Sequence, residues 1–283
     1  MTSAGAHSVR GAFDLAGRVV VITGGAGLLG VRHGEAVAEL GATPILIDLE
    51  EGKAGGAADR VRRKFGGAAA GFGVDITSPE AVDGLLQRVL DCFGRVDVLI
   101  NNAANNPKVE AGPFREGHWS RLENFPLEVW NKDFAVGLTG AFLCSRAFGP
   151  EMARAGKGVI LNVASDLGLI GPDQRIYRSE GETEQTQSVK PVSYSVVKAG
   201  LIGFTRYLAT YWASAGVRSN ALAPGGVEAG QNEAFVTRLT NLIPLGRMAH
   251  PDEYKAAVAF MVSDASSYMN GAIVSMDGGR TAW

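Results

Sequence analysis

Tyr194-Ser195-Val196-Val197-Lys198 sets a phenol and an ammonium four residues apart, and on a helix that spacing puts both on one face. A cation beside a phenol stabilises the phenolate and draws a pKa of about 10 towards neutrality, so the pair is suited to acid–base chemistry. By spacing alone, an incidental surface pair is the better explanation. Tyr177 is a rival phenol, but Gly181 stands four residues on, so no lysine supports it. Ser165, in Asn162-Val163-Ala164-Ser165-Asp166, carries a hydroxyl of the kind that bonds a substrate oxygen, or caps a loop or helix. A second constellation lies near the start, in Val19-Val20-Val21-Ile22-Thr23-Gly24-Gly25-Ala26-Gly27-Leu28-Leu29-Gly30. There a β-prone run meets a glycine-rich turn and then a stretch of helical composition. Such a turn lets backbone approach a pyrophosphate, beside the N–H groups and positive end of the helix that follows. Glycine makes up 38 of 283 residues, so the glycines alone say little. Ile45-Leu46-Ile47-Asp48, about 20 residues on, supplies the acidic residue that the dinucleotide fingerprint requires.

The elements that must position these groups alternate along the chain. Strand-like runs are read at Val19–Thr23, Pro44–Asp48, Ala70–Val74, Val96–Ile100, Gly158–Val163, Val217–Ala221 and Ala272–Met276. Helical stretches lie between them, including Glu50–Phe65, Val82–Phe93, Leu127–Ala155, Val192–Ala215 and Asp252–Ser263. Ser78-Pro79-Glu80 is a helix-start signal. This βαβ rhythm calls for a doubly wound α/β fold: a parallel sheet of about seven strands, helices on both faces, right-handed crossovers, and a ligand site beyond the strands' carboxyl ends. Two polar segments, 105–126 and 171–191, break the rhythm on that side, and loops of this length are usually functional or disordered.

Composition narrows the function. With 46% hydrophobic and 20% charged residues the chain can bury a large core, and 27 basic against 29 acidic side chains leave a net charge of −2. That balance offers no attraction to nucleic acid or an anionic membrane. No window approaches 18 uncharged apolar residues, so no membrane span is expected. Residues 1–13 read as a flexible tail and 14–283 as one domain. Cys92 and Cys144 lack metal-ligand spacing and read as reduced core residues of a cytoplasmic protein. No metal site is expected.

Taken in order, Thr23-Gly24, Gly27, Gly30, Asp48, Asp75, Asn101-Asn102-Ala103-Ala104, Ser165, Tyr194-x-x-x-Lys198, Pro224-Gly225 and Asp277-Gly278-Gly279 resemble the compact short-chain dehydrogenases/reductases. The likeness covers nearly the whole chain after the tail. It implies a Rossmann fold with strand order 3-2-1-4-5-6-7, an NAD or NADP cofactor and a homo-oligomer, a tetramer or dimer. It implies Tyr194 as acid/base, Lys198 as the partner holding the nicotinamide ribose, and Ser165 as the group orienting the substrate oxygen. Gly24, Gly27, Leu28, Leu29, Asp48 and Leu49 would hold the cofactor, together with Asp75 and Ile76 near the adenine. Asn102, Ala103 and Ala104 would lie along it, and Pro224, Gly225 and Val227 near the nicotinamide amide. Asp48 favours NAD, because a carboxylate accepts hydrogen bonds from a ribose 2′-hydroxyl and repels a 2′-phosphate.

The sequence departs from the family in four places. Glycine stands at Gly27 where the compact members place it at Leu28. Gly137 occupies the usual position of a catalytic asparagine that places a proton-relay water, leaving space that a water would fill. Ala229 replaces a common threonine, and 28 residues stand between Ser165 and Tyr194, an insertion beside the site. A narrower likeness runs through Thr23–Gly30, Val136-Gly137-Leu138-Thr139-Gly140, Gln174-Arg175-Ile176-Tyr177, Lys190-Pro191-Val192-Ser193-Tyr194 and Gly279-Arg280-Thr281-Ala282-Trp283. These are similar to dehydrogenases of flagellin-modification and nonulosonic-acid sugar pathways. Together the resemblances imply an NAD-dependent oxidoreductase interconverting a secondary alcohol and a ketone on a polar, sugar-like small molecule. Asn105, Arg175, Tyr177 and Arg178 are candidate substrate residues, with Asn106, Lys108, Arg115 and His118 adding polar character. The alternatives are a 3-oxoacyl-thioester reductase and a catalytically weak NAD-binding protein.

Overall fold

The structure, a computed structural model, describes residues 8–105 and 119–283. Seven apolar runs pair in parallel: β1 (Val19–Thr23), β2 (Thr43–Asp48), β3 (Ala70–Gly73), β4 (Val98–Asn101), β5 (Gly158–Val163), β6 (Val217–Pro224) and β7 (Ile273–Met276). Their order is β3-β2-β1-β4-β5-β6-β7, the order that the resemblance implied. Every residue of β1, β4 and β5 is buried, as strands covered on both faces must be.

Alternation along β1 divides the core in two. Val20 and Ile22 join a cluster with Val37 of α2 (Leu28–Glu39), after the helical turn α1 (Val9–Ala12), and with Val61 of α3 (Glu51–Phe65). Val19 and Val21 face the other way, towards Leu85 of α4 (Pro79–Phe93) and, beyond α5 (Leu127–Phe134), Phe148 of α6 (Gly140–Arg154). Leu208 of α7 (Val192–Tyr211) closes that second cluster. After α8 (Glu233–Thr240), the helix α9 (Lys255–Val262) adds Val258, Met261 and Val262 to the first. Side chains at strand period 2 thus feed two helical layers. Full burial of each large aliphatic side chain contributes about 1.5–3 kcal/mol.

Several elements differ from the sequence reading. The helix expected over Leu127–Ala155 is interrupted by a π turn at Ala135–Thr139, where the Gly140 N–H reaches the Ala135 carbonyl. Such turns occur mostly as single insertions in α-helices. The helix α8, its N-terminus capped by Asn232 Oδ1 on Ala234 N–H at 2.9 Å, was not anticipated. The late helix begins as a 3₁₀ turn at Pro251–Tyr254. Residues 9–12 of the expected tail form α1, Phe13 lies 6.4 Å from the Phe260 ring, and Leu15 is fully buried; residues 1–7 lie outside the described ones. Cys144 is buried, with its thiol pushed up to about 12 by burial, but Cys92 is exposed because it falls on the outer face of α4. No described helix is long and apolar enough to cross a membrane.

Candidate active site

The glycine turn lies where the strand order reverses between β1 and β4, the usual ligand crevice of such sheets. Gly24 has φ +61°, and a Cβ there would meet the Ala103 backbone at 3.0 Å. A Cβ at Gly30 would come within 2.1 Å of the Gly24 carbonyl, so α2 can seat against the turn only through glycine. Gly27 is different: it precedes α2 with φ −73°, and an added Cβ would meet one atom at 3.2 Å. Thr23 and Asn102 brace the turn. Thr23 Oγ1 accepts from the N–H groups of Asn102 (3.0 Å) and Ala103 (3.1 Å), and Asn102 Nδ2 donates to the Thr23 and Gly24 carbonyls.

A cleft of about 730 Å³ opens above this turn. Gly24, Gly27, Leu28 and Leu29 form its floor, Asp48 and Leu49 one end, and Asp75 with Ile76 a side wall. Asn102, Ala103, Ala104 and Asn105 lead along it to Tyr194 and Lys198 at the far end. Asp48 Oδ2 accepts from the Ala26 N–H at 3.2 Å, tying the acidic residue to the turn. Asp75 is held below the usual carboxylate range by the Thr77 hydroxyl (2.7 Å) and N–H (2.9 Å). The turn, the acidic end and the open start of α2 fit a dinucleotide laid from Asp48 to Lys198.

At the reactive end, α7 carries Tyr194 and Lys198. Lys198 is buried, and its Nζ donates to the Val163 carbonyl at 2.7 Å. Burial, and next the charge of Lys190, lower its pKa to about 8. The Tyr194 phenol is raised by burial first, with Ser165 hydrogen bonding lowering it and the Asp166 charge raising it. Ser165 follows β5 and caps a 3₁₀ turn at Asp166–Gly168. Its hydroxyl donates to Asp166 Oδ1 at 2.8 Å, and Arg280 Nη1 holds Asp166 Oδ2 at 3.3 Å. Both members of that ion pair are buried, with side-chain exposures of 4% and 6%.

Around this end stand residues that the sequence reading missed. Asp133 on α5 is buried and accepts from Asn105 Nδ2 (2.6 Å) and from the Ser193 hydroxyl beside Tyr194. Burial raises its carboxyl, opposed first by Ser193 and Asn105 and then by Lys190 and Lys132. The space beside Gly137 is not open for water: a Cβ there would lie 2.6 Å from Cγ1 of Val197, between Tyr194 and Lys198 in sequence. The methyl occupies the room that the missing side chain vacates.

Not every expected residue joins the cleft. Ser165 is buried and does not itself line the cleft, although it hydrogen-bonds the Tyr194 phenol that does. Gly225 lines a separate cavity of about 230 Å³ with Asp277, Gly278 and Gly279. Pro224 ends β6, and Val227 forms an isolated bridge with Ala249. Arg175, Tyr177 and Arg178 line a third cavity of about 590 Å³ with Phe235 and Arg238. There Arg175 is 81% exposed and forked onto Asp173, Arg178 Nε donates to Gln187 Oε1 at 2.5 Å, and Tyr177 lies against Phe235. Local partners have taken these side chains, which polar composition alone does not reveal. The insertion is nonetheless built: Ile176 packs with Leu239, Ile243 and Met248, and the Val189 N–H reaches Ser120 Oγ at 3.1 Å. Asn106, Lys108, Arg115 and His118 lie outside the described residues. Among the described residues no cluster of His, Cys, Asp or Glu gathers to hold a metal.

A parallel doubly wound sheet with a glycine turn, an acidic strand end and a Tyr–Lys helix at one cleft defines a dinucleotide-dependent oxidoreductase. The family model described as enoyl-(acyl carrier protein) reductase matches residues 28–281, and the chain belongs to the short-chain dehydrogenase/reductase family. It is 34% identical over 270 residues to cis-4-hydroxycyclohexanecarboxylate dehydrogenase of Sinomonas cyclohexanicum, covering 94% of this chain and 97% of that one. It is 34% identical over 290 residues to D-threitol dehydrogenase of Mycolicibacterium smegmatis, covering 99% of each. Among solved structures, it is similar to a gluconate 5-dehydrogenase of Burkholderia cenocepacia in complex with NADP and tartrate. The TM-score is 0.82 and the identity 27%, over 98% of this chain and 100% of that one.

Proposed function

We propose that this protein is an NAD-dependent dehydrogenase that interconverts a secondary alcohol and a ketone on a small polar, polyol- or sugar-like substrate. The observation that carries the reading is one cleft running from the carboxylate of Asp48 to Tyr194 and Lys198. Glycines 24 and 27 and the start of α2 would hold the pyrophosphate, and Asp48 the adenosine ribose. When bound, the nicotinamide takes or returns the hydride. Tyr194 accepts the proton of the substrate hydroxyl in oxidation and gives it back in reduction. Lys198 favours the phenolate that does so, and Ser165 orients the oxygen. Preference for NAD rests on the negative charge of Asp48, since a 2′-phosphate beside it would be repelled.

A polar substrate is supported by the Ser165–Asp166–Arg280 cluster, by Asn105 and Lys132 on the cleft wall, and by relatives named for threitol and gluconate. The narrower likeness to sugar dehydrogenases points the same way. A fatty-acyl chain asks for an apolar groove, because each buried methylene is worth about 0.8 kcal/mol. We further propose a cytoplasmic homo-oligomer, supported by the exposed Phe142, Tyr207 and Tyr211 on α6 and α7; light scattering tests the assembly.

The experiment is a panel of polyols, aldonates and 3-oxoacyl thioesters with both cofactors, run with Tyr194→Phe alongside. Expected are turnover of a polyol or aldonate with NAD, its loss in the variant, and nearly unchanged NAD affinity, because the phenol acts in the chemical step. Better turnover of the thioesters, or near-normal kcat in the variant, would overturn the reading.

A further inference from the structure

Tyr194 has a lysine four residues after it and another four residues before it. Only Lys198 lies on the same helix. Lys190 precedes Pro191, the N-cap of α7, so helical periodicity does not govern where it goes. The insertion places it. Its backbone N–H donates to Gln174 Oε1 at 2.8 Å, and Gln187 Nε2 donates to the Gln174 carbonyl at 2.9 Å. Held this way, Lys190 Nζ stands 3.8 Å from the centre of the Tyr194 ring, against 5.8 Å for Lys198.

We infer that Lys190 is a positioning residue acting through Tyr194: an ammonium seated on the face of the phenol ring that stabilises the phenolate together with Lys198. The inference rests on reading Tyr194 as the acid/base.

The surrounding charges show why one lysine is not enough. Burial and the carboxylate of Asp166, from the turn after β5, both hold Tyr194 neutral. Lys198 is itself buried, with its ammonium weakened to a pKa of about 8, and Lys190 contributes to that weakening. Above that pH Lys198 is losing its charge. The charge of Lys190 also acts on Asp133 of α5, whose carboxyl it helps to lower. Ser165 completes the ring of groups facing the phenol. A cation over an aromatic face is attracted by the ring itself, and more strongly once the ring carries the phenolate charge. At roughly 5 Å and an effective dielectric near 20, one unit charge is enough to move a pKa by about one unit or more.

The test reads Tyr194 directly and needs no substrate. Ultraviolet titration of the phenolate band in the intact protein, less the same titration of Tyr194→Phe, isolates this one phenol. Lys190→Met keeps the aliphatic stem and removes the charge, and should raise the midpoint by about one pH unit, a tenfold loss of phenolate at fixed pH. Lys190→Arg should hold the midpoint near that of the unaltered protein. An unmoved midpoint in Lys190→Met, or an equal shift in Lys190→Arg, overturns the inference. NAD binding followed by fluorescence in the same samples separates the two ideas. A protein that binds no NAD while the midpoint still moves loses the dehydrogenase reading and keeps the role of Lys190.

Discussion

Replacing Gly137 by alanine tests how the site manages without a side chain at that position. The new Cβ would lie 2.6 Å from Val197 Cγ1 and 3.8 Å from Val197 Cβ. Carbon atoms rest at about 3.5–4.0 Å, so something must give by about 1 Å. Valine on a helix has one strongly preferred rotamer and cannot swing the methyl aside cheaply, and Val197 is buried. Overpacking of this kind costs about 1–3 kcal/mol, partly offset by the gain of about 0.8–1.0 kcal/mol when alanine replaces a helical glycine. The net loss in the unaltered background is therefore small, and the coupling is the informative quantity. Val197→Ala removes Cγ1, so Gly137→Ala should become neutral or stabilising there. A double-mutant cycle by denaturant unfolding should show coupling of about 1–3 kcal/mol. Activity gives a second reading. Pushing Val197 moves the α7 turn that carries Tyr194 and Lys198, and a displacement near 1 Å can cost about a hundredfold in rate. Gly137→Ala should thus lower kcat by tenfold or more, with recovery in the double variant. Equal effects of Gly137→Ala in both backgrounds would refute the filled-space argument and return the position to a water.

Asp48→Ser should raise the KM for NAD by roughly tenfold or more, since hydrogen bonds to a charged group contribute about 1.5–3 kcal/mol, and should narrow the preference over NADP; equal efficiency with both cofactors in the unaltered enzyme would refute the role of Asp48. Arg280→Met leaves the Asp166 carboxylate buried without its cation, a loss of about 3–5 kcal/mol. Burial then raises the Asp166 pKa in the folded state further, so the deficit should grow as pH rises and shrink in acid; a pH-independent deficit would count against the pairing. His33 is fully buried, and burial lowers its pKa to about 4. The unfolded chain therefore binds a proton that the folded one refuses, and stability should fall as pH drops from 6.5 towards 4, by about 3 kcal/mol in all. His33→Leu should lack that share of the slope, and an identical slope in both proteins would refute it.

What was legible in the sequence was whatever local pattern encodes. Val19–Thr23 and Gly158–Val163 are apolar β-prone runs, and both are fully buried strands. The glycine turn, Asp48, Tyr194 and Lys198 are motifs with their own spacing, and one cleft collects them. What stayed hidden depends on distant chain segments meeting. Asp133 comes from α5, 60 residues from the Ser193 that it receives, and Arg280 is 114 residues from Asp166. Nothing around Asp133 marks it, and Arg280 stood out only as part of the C-terminal run Gly279-Arg280-Thr281-Ala282-Trp283, with no partner indicated. Two signals were present and unused: Asp166 directly follows Ser165, and Lys190 mirrors Lys198 about Tyr194. The arginines of the insertion illustrate the opposite error. Their type made them candidate substrate residues, but Asp173 and Gln187 lie within reach of the same side chains and bond them.

The buried pair at Asp166 bears on the chemistry through the single proton of Ser165. A serine hydroxyl has one hydrogen and two acceptor positions. Here the hydrogen is given to Asp166 Oδ1, and one acceptor position takes the Leu167 N–H at 3.2 Å. The remaining acceptor position is within reach of the Tyr194 phenol, with which Ser165 also hydrogen-bonds. For Ser165 to serve a ketone, its hydrogen must turn away from a carboxylate, giving up a charge-assisted bond worth about 1.5–3 kcal/mol. Burial raises the Asp166 carboxyl, and the hydrogen bond from Ser165 and then the charge of Arg280 oppose that rise. The stretch Asp277-Gly278-Gly279-Arg280 thus bears on Ser165 through the hold of Arg280 on Asp166, 114 residues away.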